Sequence, residues 1–497
     1  MTATTPWAAL AILGAVVSGI VVGQVGGPSS AVLLVVVAVG GIVSSLLVSR
    51  RAVRLAIALL AFALLGTATT QRALHGLTES PLATPVAARA TVTVRGALVD
   101  DPGGGRWNAT VLVRVSTFRE HGGPWRDGGG RRVLASASTD IASRVRVLEA
   151  GDGITVQGWL EPLTGFDTRA RWQHAVGTLH ATELLDIGDP RSPLIRIANS
   201  VRDRVLAGGE ELAPVDRALL SGFLVGDTRG LPFDLTEQFR AAGLTHLVAV
   251  SGENVAFVLA LFAPLFRRLP LRGRLAAGLT VLVLFGTMTR WEPSVLRAIA
   301  MASIGLVGAF LGRPAVGLRV LVLAATVLLL ADPFLLHSVG FGLSCGASLG
   351  IAVLARPIAA RLRGPRWVRE SLAVTAAAQV GVAPVLIPVF GSMPLVALPA
   401  NLIAVPLAAP LTIWGLAAGV ASGLLRHAAP QLATLLQLPT VGLLHAIISV
   451  ADVASRVPVA IDGRAVWGLI ALAALGGAAT RTRRVRRDGR TLAVPTR

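Results

Sequence analysis

Four residues able to act as acid, base or hydrogen-bond partner, His246, Ser251, Glu253 and Asn254, stand close together at the start of an apolar run. They end a stretch, residues 226–257, whose first half is polar and turn-rich: Gly226-Asp227, Gly230 and Pro232 punctuate a short amphipathic segment that carries Arg240. An ionisable group near the bilayer centre costs roughly 2.5–3.5 kcal/mol on insertion scales unless it is paired or wet. The cluster therefore has two readings, a polar site within a membrane or residues hydrated at headgroup level, and residue types alone leave both open. Arg297 lies a few residues into another apolar run, so it is expected at the depth of Glu253 and facing one polar cavity with His246, Ser251 and Asn254. There a guanidinium would attract passing anions, and a carboxylate would weaken that hold or serve as an acid or base.

Other chemistry has no motif to carry it. The eight histidines form neither a His-x-His-x-Asp-His pattern nor a His-Glu-x-x-His pair, and the single Cys345 allows no disulfide and no cysteine metal site within one chain. With no lysine in the sequence, a phosphate-cradling G-x-x-x-x-G-K-S/T loop is impossible. No metal, no cofactor and no enzymatic activity are expected.

The elements that must position these residues are mostly membrane helices. Apolar residues make up 53% of the 497 and the mean hydropathy is +0.68, too apolar for a chain surrounded by water. Runs at 7–23, 31–48 and 52–70 read as three spans, the first without the basic flank of a cleaved signal. Nine more follow, at about 245–266, 275–289, 295–311, 318–331, 338–355, 371–389, 395–424, 436–454 and 465–479; the seventh is long enough to hide a re-entrant loop. The net charge of +19 points to nucleic acid only until its location is considered. Of the 46 basic residues, all arginine, 23 lie beyond residue 244 with only 7 of the 27 acids. They cluster in loops that the positive-inside rule assigns to the cytoplasm, at Arg267, Arg313, Arg356 and Arg426 and in the basic tail 481–497, so membrane orientation explains them without DNA. Both chain ends are then cytoplasmic and residues 71–244 extracytoplasmic.

Residues 71–195 change character completely. Alternating segments such as Ala90–Arg95, Ala109–Val115 and Gly153–Trp159, separated by glycine-rich turns, predict five or six short strands and a small β-barrel. Its rings, Trp107, Trp125, Trp159, Phe166 and Trp172, interleave with Arg106, Arg126, Arg169 and Arg171. That mixture is what a weak, sequence-blind single-strand surface needs, although a tryptophan in a small barrel also serves as core. Residues 196–244 read as an amphipathic helical connector on the outer membrane surface.

One long pattern goes further than composition. Gly226-Asp227, then Phe239-Arg240, Gly243-Leu244, His246-Leu247 and Ser251-Gly252, followed by a long apolar domain, resembles the ComEC family of competence proteins. Pro293–Ala298, Asp332-Pro333-Phe334, Gly340–Ser344, Gln379 and the Pro399–Pro406 segment around Asn401 add to the resemblance. Many members carry Leu-His where this chain has Glu253-Asn254, so no role of that histidine transfers. The resemblance implies a polytopic α-helical membrane protein, with an OB-fold-like extracytoplasmic domain at 71–195 and a channel domain at 245–480. It implies inward passage of single-stranded DNA, with a DNA receptor, a nuclease and a cytoplasmic motor supplied as separate proteins. The metallo-β-lactamase-like domain expected in many relatives is not seen in this sequence. The alternatives are a small-solute or lipid carrier or membrane enzyme built on Glu253, and a scaffold that binds a partner through its soluble domain. A homo-oligomer is compatible with either reading.

Overall fold

In the computed structural model the described residues are 6–26, 31–48, 50–104, 108–120, 122–313, 317–457 and 460–462. The expected 465–479 span, the basic tail 481–497, Arg106 and Trp107 lie outside them.

The chain opens with α1 (Pro6–Val25), α2 (Ala31–Leu47) and α3 (Arg51–Thr78), followed by the short α4 (Ala83–Ala87). The β domain comprises β1 (Thr91–Leu98), β2 (Asn108–Glu120), β3 (Arg126–Asp127), β4 (Arg132–Ser138), α5 (Thr139–Arg146), β5 (Gly153–Glu161) and β6 (Ala175–Gly188), with a 3₁₀ segment at Gly165–Gln173. The connector holds α6 (Pro193–Ala207), α7 (Pro214–Val225) and α8 (Phe233–Ala241). Thereafter come α9 (Thr245–Val248), α10 (Gly252–Phe266), α11 (Leu271–Met288), α12 (Pro293–Phe310), α13 (Leu318–Ala331), a 3₁₀ turn at Pro333–His337, α14 (Val339–Ala359), α15 (Arg366–Phe390), β7 (Ser392–Pro394), α16 (Ala397–Leu425), α17 (Pro430–Ser455) and β8 (Ala460–Asp462).

Among the described residues, eight helices are long and apolar enough to cross a membrane, and α2, α10 and α13 are shorter apolar helices. The run expected at 245–266 is broken: Ser251 caps a new helix, accepting the Glu253 amide at 3.3 Å, so α10 is only 15 residues long. The connector also departs from the expected surface placement. Pro214 starts α7 and Gly226, at φ +80°, stops it, but Asp216 and every residue from Ala218 to Val225 are buried.

The chain divides into two compact units. The first, 1–232 with 246–345 and 407–445, contains the β domain. Its strands form a mixed sheet ordered β1-β5-β6-β4-β2-β3, and β1 also pairs with β2, so the ladder of pairings returns to its start. All pairs are antiparallel except β4 with β6. Alternation fills the interior with Val92, Val94, Val113, Val115, Phe118, Val133, Val156, Leu160 and Leu179. Gly158 of β5 lets the backbone at His180 of β6 approach where no side chain would fit. Beside the β domain, α1 packs on α3 through Gly19 and Gly66, and Val16 and Ile20 join Ala325, Leu329 and Phe341.

The second unit, 233–245 with 346–406 and 446–497, pairs α14 and α15 backbone to backbone. A Cβ on Gly346 would lie 2.5 Å from the Gly381 carbonyl, and one on Gly381 only 2.9 Å from the Gly350 Cα. The antiparallel β7–β8 pair joins Ser392 to Asp462, Met393 to Ile461 and Pro394 to Ala460.

Candidate functional site

The Ser251–Asn254 turn is held from both sides. Ser251 Oγ donates to Asn254 Oδ1 at 3.2 Å, and Asn254 Nδ2 donates to the Phe223 carbonyl at 2.9 Å, tying α10 to α7. Asn254 is thus a buried clamp. Ser294 Oγ of α12 reaches the Val250 carbonyl at 3.0 Å, so the break before α10 is fixed by a second helix. Gly252 stands where α10 meets α12: a Cβ there would lie 2.6 Å from Arg297 Nη2 and 3.1 Å from Ala298 Cβ. Only a residue without a side chain leaves the Arg297 guanidinium its place.

Arg297 itself donates from Nε to Ser344 Oγ at 2.7 Å and approaches Met301 Sδ at 3.1 Å. Among the described residues no carboxylate comes within ion-pair reach of it. Glu253 is exposed in the first turn of α10, next in sequence to Gly252, yet forms no ion pair with Arg297. The expected Glu253–Arg297 partnership therefore reduces to proximity through Gly252. His246 is exposed on α9, and Arg240 is exposed on α8, 3.2 Å from Glu237. Asn401, in the second unit, is buried, and its Oδ1 finds no hydrogen-bond partner.

Gly226-Asp227 belongs to a different construction, one that the sequence did not reveal. Arg202, 1% exposed on α6, places Nη2 2.9 Å from Asp227 and 2.8 Å from Asp101 of the β domain, and donates through Nη1 to the Met288 carbonyl at the end of α11. Arg229 grips Asp227 through Nε and Nη2 at 2.9 and 2.7 Å and donates to the carbonyls of Arg146 and Leu148. Arg290, at φ +55° in the α11–α12 turn, contacts Asp101 at 2.8 Å and Asn199 at 2.6 Å. Burial alone would raise the Asp227 carboxyl, but the hydrogen bonds and charge of Arg229, with the charge of Arg202, outweigh it and hold the group well below the usual carboxylate range. Burial likewise opposes ionisation of Asp101, and Arg202 and Arg290 reverse the outcome. One signal for Arg202 was present: Ala198, Asn199, Arg202 and Val205 share the buried face of α6 at helical spacing.

The β-domain rings divide between two tasks. Trp125 is half-buried with Arg95 and Arg119 over its ring at 4.3 and 4.9 Å, and exposed Arg126 pairs with Glu120 nearby. Trp172 differs from the expected platform, because its face is covered by His337 at 3.7 Å and Phe334 meets it edge-on. His174 lies 3.1 Å from Asp332, and Gln24 of α1 donates to His337 at 2.8 Å. Trp172 thus fastens the β domain to the turn before α14. Trp159 stacks on His180, while Arg169 and Phe166 are exposed.

These features define a multi-pass helical membrane protein with an inserted β domain anchored to it by a buried charge network. The chain belongs to the competence protein family, whose model matches residues 223–484, more than half its length. It is 26% identical over 251 residues to ComE operon protein 3 of Bacillus subtilis (strain 168), a match covering 50% of this chain and 32% of that protein. It is 27% identical over 214 residues to the uncharacterized protein YcaI of Escherichia coli (strain K12), covering 39% and 28%. The chain thus spans less than a third of each of these curated relatives. No solved structure matches it.

Proposed function

We propose that the chain forms a membrane channel through which single-stranded DNA passes inward during natural transformation, with residues 71–244 on the outer side and the chain ends in the cytoplasm. Family membership supports this reading, and Arg297 carries it at the level of geometry. A guanidinium among membrane helices whose contacts are all neutral keeps its charge for a passing anion, and phosphate is one of the anions that a guanidinium fork can hold bidentately. The reaction is transport without covalent change.

The β domain is read as an OB-type barrel. The pairing cycle β1-β2-β4-β6-β5-β1, with its one parallel pair and with α5 between β4 and β5, supports that reading. Its side bearing Arg95, Arg119, Trp125 and Arg126 is the candidate strand contact. Binding there is expected to weaken with salt by a slope of about −0.7 per phosphate neutralised.

Arg297→Ala should abolish uptake of labelled DNA while surface binding and protein abundance stay normal; Arg297→Lys should retain a part. Full uptake by Arg297→Ala at normal abundance would overturn the role of this residue.

A further inference from the structure

The positive-inside rule assigns Arg426, in the turn between α16 and α17, to the cytoplasm, across the membrane from the β domain and the connector. The contacts of that turn say otherwise. Arg426 Nη1 lies 2.6 Å from Glu210 Oε2, in the α6–α7 turn, and Thr434 donates to Glu211. Gln437 donates to the Gly208 carbonyl at 3.0 Å. Backbones touch as well: a Cβ on Gly419 would lie 2.7 Å from the Val205 carbonyl, and one on Gly423 2.5 Å from that of Arg204.

Arg204 is two residues from Arg202, whose guanidinium binds Asp101 of the β domain. At 1.5 Å per helical residue, Gly423 therefore lies within about 10 Å of Arg202, and Arg426 only about 5 Å further along α16. A hydrocarbon layer is about 30 Å thick, so it cannot fit between this turn and the β domain whichever way α6 is tilted. We propose that the α16–α17 turn, residues 426–429, lies on the β-domain side of the membrane. There the acidic α6–α7 turn, through Glu210 and Glu211, clasps the α16–α17 hairpin.

The positive-inside reading could not detect this. In that reading the side of the turn rests on Arg426 alone, and Arg426 is paired with Glu210. The hairpin is also unusually polar within: Thr412, Ser422, Gln437 and Thr440 are all buried, and Gln437 Oε1 and Thr440 Oγ1 have no hydrogen-bond partner. Such groups are tolerated at membrane depth within protein or beside water, and are costly against lipid.

Cys345 is the one cysteine, so its replacement by Ala gives a background for labelling the full chain in intact cells with a membrane-impermeant maleimide. Three single-cysteine variants decide the matter: Phe166→Cys in the β domain, Arg268→Cys in the loop after α10, and Ala428→Cys in the turn, all at exposed positions. Ala428→Cys is expected to label with Phe166→Cys, within about twofold in rate, while Arg268→Cys labels only after permeabilisation. Failure of Ala428→Cys to label from the Phe166 side, whether or not it labels from the other, overturns the proposal. Should Ala428→Cys not accumulate, a dual topology reporter inserted after Ala428 reads the same contrast. If the β domain itself were cytoplasmic, Phe166→Cys and Ala428→Cys would change sides together, which separates an error of overall orientation from failure of this inference.

Discussion

Arg202 shows how a single side chain can be decisive while the sequence displays only its helical spacing and none of its partners. Its partners stand at 101, 227 and 288, and pairing over such separations produces no periodicity or motif. The Gly226-Asp227 dipeptide was legible as a pattern, but the work of its aspartate was not. Asp227→Asn would leave two arginines short of a carboxylate, one of them fully buried, and should cost about 3 kcal/mol. A lower melting temperature in detergent would record it. The pH dependence follows from direction. Asp101 and Asp227 have folded-state pKa values below those of the unfolded chain, so their stabilisation is complete above the unfolded value of about 4 and is lost as pH falls through the folded values. Proteolytic release of the β domain should therefore be flat from neutral pH to about pH 5 and rise only in stronger acid. Gly252→Ala makes a sharper probe of the site: with Arg297 Nη2 at 2.6 Å from the new methyl, uptake should fall while abundance is largely kept.

At the scale of elements, period-two alternation located the strands because a half-buried strand must alternate, and apolar length located the helices for an equally simple reason. What failed was anything that depends on which face meets which neighbour. Segment α7 was read as lying on a membrane surface from its mixed composition, yet it is buried along nearly its whole length, with Asn254 of α10 donating to its Phe223 carbonyl and Gly222 set against the Val248 carbonyl. Trp172 was read as a stacking platform, and its partner His337 could not be identified without the turn before α14. Trp172→Ala and His337→Ala should each loosen the β domain, seen as faster limited proteolysis between 188 and 193, and the double variant should add little to either. The coupling expected of one stacked pair is about 1 kcal/mol. In the second unit, Gly346→Ala should lower the melting temperature more than a helix-favouring change normally would, since the atom it meets is the Gly381 carbonyl, which cannot swing aside.

For the molecule as a whole, the distribution of arginine makes a testable statement of orientation: a reporter active only outside the cytoplasm should work when fused near Gly130 and be silent when fused after Arg490. The charge network described above also bears on how such a chain comes to be made. Synthesis proceeds from the N-terminus, so Asp101 and Glu149 leave the ribosome first, Arg202, Asp227 and Arg229 next, and Arg290 last, after two more apolar helices. Until Arg290 is delivered by the α11–α12 turn, the β domain and α6 share one arginine fewer than the finished cluster holds. The β domain can fold on emergence, but its seat is completed only when that turn arrives. Nascent chains arrested before residue 290 should therefore carry a β domain that is folded and held by Arg202 and Arg229 alone, and the membrane insertion of α11 and α12 becomes the step that adds Arg290 to that hold.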